Sequence, residues 1–280
     1  MTVPSDLKQR IEACDTLPPE SLGDEARWVF EQLVQGLEAG EVRAAELAED
    51  GWRVNGWVKK GILLGFRLGR VVAMEPAGPL QFFDKDTLLP RRLALEDGVR
   101  VVAGGTAVRS GAYVAPGVVV MPPAYINIGA YVGEGTLIDS HALVGSCAQV
   151  GRRVHLSAGA MLGGVLEPVG AMPVIVEDEV LVGGNCGIYE GAIVGRRAVL
   201  GSGVILTGAV TVFDIPRKTT YRREAGRPLR IPEGAVVVPG TRRHADAFAE
   251  RNGLGLYTPV IVKYRDEKTD ASAALEEALR

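Results

Sequence analysis

Stepping six residues at a time from Val102, every position is aliphatic: Val102, Val108, Val114, Val120, Ile126, Val132, Ile138, Val144, Val150, Leu156 and Leu162. The phase breaks over GGVLEPVGAMPVI and resumes, shifted by two, at Val176, Val182, Ile188, Val194, Leu200, Leu206 and Val212. Neither a helix of period 3.6 nor a strand of period 2 yields such a run. A hexad that turns one aliphatic side chain inward and then bends builds a parallel β-helix, in which three hexads close a coil of about 18 residues. Successive coils stack at about 4.8 Å, and the run predicts about six of them. Glycines directly after the inward position (Gly133, Gly145, Gly151, Gly163, Gly183, Gly195, Gly201) read as relief for strained turn backbone. A sandwich of short strands would instead alternate at irregular spacing.

The break divides the chain. Residues 1–98 are expected to form a mainly helical domain. In it, Ser21 to Leu37 carries apolar residues at helical spacing behind Ser21 as cap and Asp24 and Glu25 in the first turn. Asn55 to Phe66 reads as a second helix, and Phe82 to Arg92 as an irregular connector. Residues 99–213 form the β-helix, with 163–175 an external loop at a coil corner, where repeat scaffolds tend to carry function. Residues 214–280 are a β-rich extension. PEGAVVVPG and YTPVIVKY are its strands, and ASAALEEALR is a closing short helix.

Composition excludes several functions. A net charge of −3 lacks the basic excess of a nucleic-acid surface. Three cysteines without CxxC spacing point to reduced thiols in a reducing compartment. MTVPSDLKQRIEACD contains no apolar h-region of a signal peptide and no uncharged apolar run reaches about 18 residues, so the expectation is a cytoplasmic chain without a membrane span.

Longer strings narrow the reading. MPPAYINIGAYVGEGTLIDSHALVGSCAQVGRRVHLSAGAMLGGVLEP, Met121 to Pro168, closely resembles the core of the tetrahydrodipicolinate N-succinyltransferases. WVKKGILLGFR, FFDK, VRSGAY, YEGAIVG, EGAVVV and VIVK add to the likeness, which runs from about residue 20 to about 265. The resemblance implies a left-handed parallel β-helix with an N-terminal α-helical domain and a short C-terminal β/α extension. It also implies a homotrimer with sites in grooves between neighbouring β-helices. The implied reaction moves succinyl from succinyl-CoA to the amine of hydrated or ring-opened tetrahydrodipicolinate, on the diaminopimelate route to lysine, with no metal.

Site residues follow from the same likeness. Arg109 in VRSGAY matches the position that clasps a substrate carboxylate, which suits a bidentate guanidinium; by spacing alone it reads as a solvated arginine. Asp139 in GTLIDSHAL matches the acid at the substrate amine, and Ser157, 18 residues on, is expected one coil away, able to hydrogen-bond Asp139 or the substrate. The plain alternative is that Asp139 satisfies turn amides. Glu190 in YEGAIVG matches a second carboxylate assisting proton transfer, and by spacing is equally an exposed acid. Asp139 and Glu190 are expected to meet across a subunit boundary. Gly164 and Glu167 lie in the substrate-side loop GGVLEP. The pantetheine arm of the donor is expected along Gly183, Gly184, Gly201 and Ser202, and its phosphates near Arg217, Lys218, Arg222 and Arg223; a solvated loop is the other reading of that basic run.

Two departures bear on the donor. Relatives usually place Trp where this chain has His141, and Gly183 to Asn185 replaces a small residue followed by Arg. Acetyl-CoA is therefore the alternative donor, and a non-catalytic β-helix scaffold a further reading. A zinc hydratase on this fold needs three convergent ligands, which the spacings of His141, His155 and His244 do not offer.

Overall fold

The computed structural model describes residues 3–75 and 80–266. The proposed helix in ASAALEEALR lies outside them. From residue 100 the chain winds as a parallel β-helix of two-residue strands, each pairing with the strand one coil above and one below. One face stacks Tyr113–Val114, Tyr131–Val132, Gln149–Val150, Ile175–Val176, Ile193–Val194 and Arg230–Ile231. A second runs from Arg100–Val101 through Val119–Val120, Leu137–Ile138, His155–Leu156 and Leu181–Val182 to Val199–Leu200. The third stacks Ala107–Val108, Tyr125–Ile126, Leu143–Val144, Met161–Leu162, Gly187–Ile188 and Ile205–Leu206.

The hexad residues fill the interior, Ile126, Ile138, Leu156 and Leu162 all being fully buried. A second inward position lies two residues earlier, in Ala112, Val118, Ala130, Ala148, Val154 and Ala160. These small side chains sit where the corner narrows. Each large aliphatic residue so buried contributes about 1.5–3 kcal/mol.

The corner glycines differ from expectation. The left-handed residue falls three past the inward aliphatic, as in Gly111 (φ 76°) and Gly129 (φ 75°). Glycine directly after the aliphatic serves stacking instead: a Cβ on Gly133 would lie 2.6 Å from the Gly151 carbonyl carbon of the next coil.

The helix also outlasts its hexad run. Val212 is buried, but its strand Val212–Asp214 leaves the coil to pair with Thr219–Tyr221 and Gly255–Tyr264. The rungs above Ile193–Val194 and Val199–Leu200 come from Arg230–Ile231 and Ala235–Arg243. Period-counting misses them because an excursion, and not a hexad, separates them from Leu206. Ala235–Arg243 and Gly255–Tyr264 form the two expected strands as an antiparallel hairpin.

The N-terminal region packs α1 (Leu7–Asp15), α2 (Asp24–Glu38) and α3 (Gly56–Leu68) around Ile11, Leu33 and Ile62. Ser21 is not the cap of α2. It ends the short turn Pro19–Ser21, and Gly23 takes the cap position ahead of Asp24 and Glu25. A hairpin of Ala45–Ala48 with Gly51–Val54 separates α2 from α3, and after α3 the strand Val71–Ala73 pairs antiparallel with Phe83–Lys85. Part of the expected irregular connector is thus a strand. The region covers the first face: Arg43 stacks 3.7 Å from the Tyr131 ring centroid and donates from Nε to Gln149 Oε1 at 2.9 Å.

Candidate active site

The corner between the third and first faces repeats once per coil, and between Leu162 and Ile175 it carries the inserted loop. Above the loop the same corner holds Tyr189 and Glu190, then Thr207 and Gly208. Together these enclose an open cavity of about 750 Å³ lined by Gly164, Glu167, Met172, Tyr189, Glu190 and Arg223, with Arg227 on the same rim. Gly164, Glu167 and Glu190 are thereby brought to one place.

Glu190 sits at φ 52° and its neighbour Gly191 at φ 74°. Apart from the opening corner at Gly104 (φ 146°) and Gly105 (φ 93°), the other corners hold a positive φ at the third position alone, so Glu190 is an additional reversed residue and not a glycine. The Gly208 N–H donates to Glu190 Oε2 at 2.6 Å. A Cβ on Gly208 would approach that oxygen to 2.4 Å and Arg223 Nη1 to 3.2 Å, so bare backbone lets carboxylate and guanidinium converge over it. A cavity with two guanidinium groups and two carboxylates beside a glycine-rich loop can hold a small dicarboxylate by its charges while an acid or base faces a reacting amine.

Asp139 lies at a different corner, between the second and third faces. Ser157 is one coil above it, since Ile138 pairs with Leu156. Asp139 Oδ1 accepts from the Ser140 N–H at 2.7 Å. Its hydrogen bond is the turn contact and not one to Ser157. Gly184, Gly201 and Ser202 continue up the same corner, where the Gly184 carbonyl accepts from the Gly203 N–H at 2.9 Å. Within one chain, then, Asp139, Ser157, Gly184, Gly201 and Ser202 line one edge of the third face, and Glu190, Glu167 and Gly164 the other.

Arg109 is placed elsewhere. Its guanidinium bonds Asp84, its side chain is 15% exposed, and it lies beside the Phe66 ring. The fork expected to clasp a substrate is occupied by the N-terminal region. Lys218 and Arg222 are exposed on the excursion, whose base is tied by buried Asp214 accepting from Tyr264 Oη at 2.5 Å and from the Arg217 N–H at 2.9 Å. Arg223, expected near the donor phosphates, lies instead beside Glu190, and Arg227, which no sequence motif marks, joins it. Both belong to a loop that only the tertiary return of the chain at Arg230–Ile231 brings to this corner. Among the described residues no cluster of three or more His, Cys, Asp or Glu can hold a metal, and no helix is long and apolar enough to cross a membrane.

Residues 173–208 match the family described as the hexapeptide repeat of succinyl-transferase, so the stacked coils are those of a hexapeptide-repeat acyltransferase. Residues 5–68 match the N-terminal region of tetrahydrodipicolinate N-succinyltransferase. Relatives of about 40% identity bear the name 2,3,4,5-tetrahydropyridine-2,6-dicarboxylate N-succinyltransferase. That of Azoarcus sp. is 43% identical over 95% of this chain and 93% of its own. That of Psychrobacter arcticus is 41% identical over 100% and 99%, and that of Bordetella pertussis 40% over 98% and 97%. The chain belongs to the 2,3,4,5-tetrahydropyridine-2,6-dicarboxylate N-succinyltransferase family.

Proposed function

We propose that the protein moves a succinyl group from succinyl-CoA to the amine of hydrated or ring-opened tetrahydrodipicolinate, on the diaminopimelate route to lysine. The observation that carries the site assignment is the meeting of Glu190, Arg223 and Arg227 around the inserted glycine-rich loop. The amine nitrogen attacks the thioester carbonyl, the C–S bond breaks, an amide forms, and the proton lost by the amine passes to the leaving thiolate. Glu190 is the group placed to relay that proton. Arg223 and Arg227 hold the carboxylates of the acceptor, in place of Arg109. The Gly164 amide, between the bonded amides of Gly163 and Val165, is the loop donor offered to the developing oxyanion.

The coils wind left-handed, in keeping with the hexapeptide repeat, and the working unit is a homotrimer. The third face supports this, because Tyr125 and Met161 each leave 36% of their surface exposed there. Covering that face with a second copy brings the Asp139 edge of one chain toward the Glu190 edge of the next. The donor then lies in the groove between copies, with pantetheine along Gly184, Gly201 and Ser202 and phosphates near Lys218 and Arg222.

The test is thiol release with tetrahydrodipicolinate or L-2-aminopimelate as acceptor, comparing succinyl-CoA with acetyl-CoA. Faster release with succinyl-CoA is the expected result. Preference for acetyl-CoA would keep the acceptor and change the donor. Silence with both donors would leave a scaffold.

A further inference from the structure

Lys59, on α3, is the one charged side chain of the described residues with no solvent exposure at all. Its ammonium donates to the Ala171 carbonyl at 2.5 Å, and among the described residues it joins no ion pair. An ammonium buried without a counter-charge is costly. A methionine would fill the same space without that cost, so a packing role alone does not explain a lysine here. What the lysine adds is a donor at the end of a long stem, delivered to one carbonyl of a different part of the chain.

That carbonyl belongs to the inserted loop. Ala171 closes a turn by donating from its own N–H to the Pro168 carbonyl at 2.8 Å. The next carbonyl, that of Met172, lies against Gly191, where a Cβ would come within 2.3 Å of it. Gly191 follows Glu190 directly, and Ala171 and Met172 both line the cavity. Contact therefore runs unbroken from the ammonium to the loop wall, and from that wall to the reversed turn that presents Glu190. Cys147 lies near Lys59, its thiol kept neutral by burial. Burial pushes the lysine ammonium below its ordinary value.

We propose that Lys59 is a positioning residue for acyl transfer: from the back of the cavity it fixes the inserted loop at Ala171 and so sets the acceptor-binding wall beside Glu190. This rests on the cavity being the acceptor site. It would make the N-terminal region a working part of the site although it offers the substrate no charged group of its own.

Three variants test it in the full-length protein: Lys59→Met, which keeps the volume, Lys59→Arg, which keeps a donor and the charge, and Lys59→Gln in case Lys59→Met does not fold. Steady-state kinetics with both substrates are combined with amide hydrogen exchange over residues 163–174. The expected result for Lys59→Met is a KM for the acceptor raised about tenfold and a KM for succinyl-CoA within twofold of the parent. Loop amides should exchange at least tenfold faster while those of Leu137–Ile138 and Leu143–Val144 are unchanged. Lys59→Arg should recover part of both effects. Unchanged acceptor KM and loop exchange in Lys59→Met would overturn the proposal, as would a fall in Tm with both KM values and the loop unaltered. If the parent protein transfers no acyl group, the reaction assigned above fails instead, and loop exchange alone decides whether Lys59 anchors the loop.

Discussion

Glu190 and Gly191 are consecutive residues in the left-handed region, at φ 52° and 74°. For a side chain larger than glycine that conformation costs about 1–2 kcal/mol, and such residues persist where the surroundings over-determine them. Here the Gly208 N–H and the Met172 carbonyl do so. Glu190→Gln keeps the shape and an acceptor oxygen but removes the base. Its kcat is expected to fall about 100-fold or more with Tm and acceptor KM little changed, as steady-state assays and thermal melts would show. Cys147 offers a second check. Burial pushes its thiol up to about 12, so almost no thiolate exists at neutral pH. Iodoacetamide at about pH 8 should leave Cys147 unmodified in the native protein and alkylate it in urea, as peptide mass spectrometry would report; labelling without denaturant would contradict the packing of α3 on the coils.

Among elements, the first face of the β-helix and the N-terminal region are joined through Arg43, between the Tyr131 ring, the Trp52 ring at 5.8 Å and Gln149. Arg43→Ala deprives a buried amide of its donor and two rings of their cation. A loss of about 2 kcal/mol is expected from urea unfolding, larger than for an exposed arginine such as Arg53. A different joint operates between coils. Arg153 donates to Glu179 Oε1 at 2.8 Å, and that hydrogen bond holds the Glu179 carboxyl below its usual value of 4.5. A depressed carboxyl stabilises the fold above its unfolded value and loses that contribution as pH falls through the lower folded one. Both partners are well solvated, so Glu179→Gln should cost only ~0.5 kcal/mol at neutral pH. The difference from the parent should shrink as pH falls below 4.5 and disappear once it has passed the lower folded value; a difference that persists in acid would assign the effect to packing.

The elements also show what a linear reading can reach. The hexads were legible because an aliphatic residue is demanded every sixth position whatever the neighbours are. The preceding inward position was not, since alanine, valine, threonine and cysteine all fit the narrow corner and leave no distinctive signal. Gly164, Glu167 and Glu190 were legible through long matching strings, whereas Arg223 and Arg227 enter the cavity through an excursion whose return no local pattern announces. Arg109 illustrates the opposite limit: the motif is present, and a tertiary partner, Asp84, has claimed it.

At the scale of the molecule, the third face is the one left without cover in a single chain. If copies close over it in threes, light scattering should give about three times the 29.7 kDa chain mass, and Met161→Glu, which sets a charge in that face, should yield monomer with acyl transfer lost. A stable, active monomer would instead confine the whole site to one chain. The two ends of the solenoid raise a separate matter. A stack of identical rungs has no intrinsic stopping point, and a bare last rung invites another molecule to add to it. Here Ala235–Arg243 turns back on Gly255–Tyr264, and the sheet beyond runs out in the three-residue strand Thr219–Tyr221 beside Lys218, Arg222 and Arg223. The excursion that carries cationic side chains toward the cavity thus also ends the second face's sheet in a short strand flanked by positive charge, which discourages another molecule from adding to that edge.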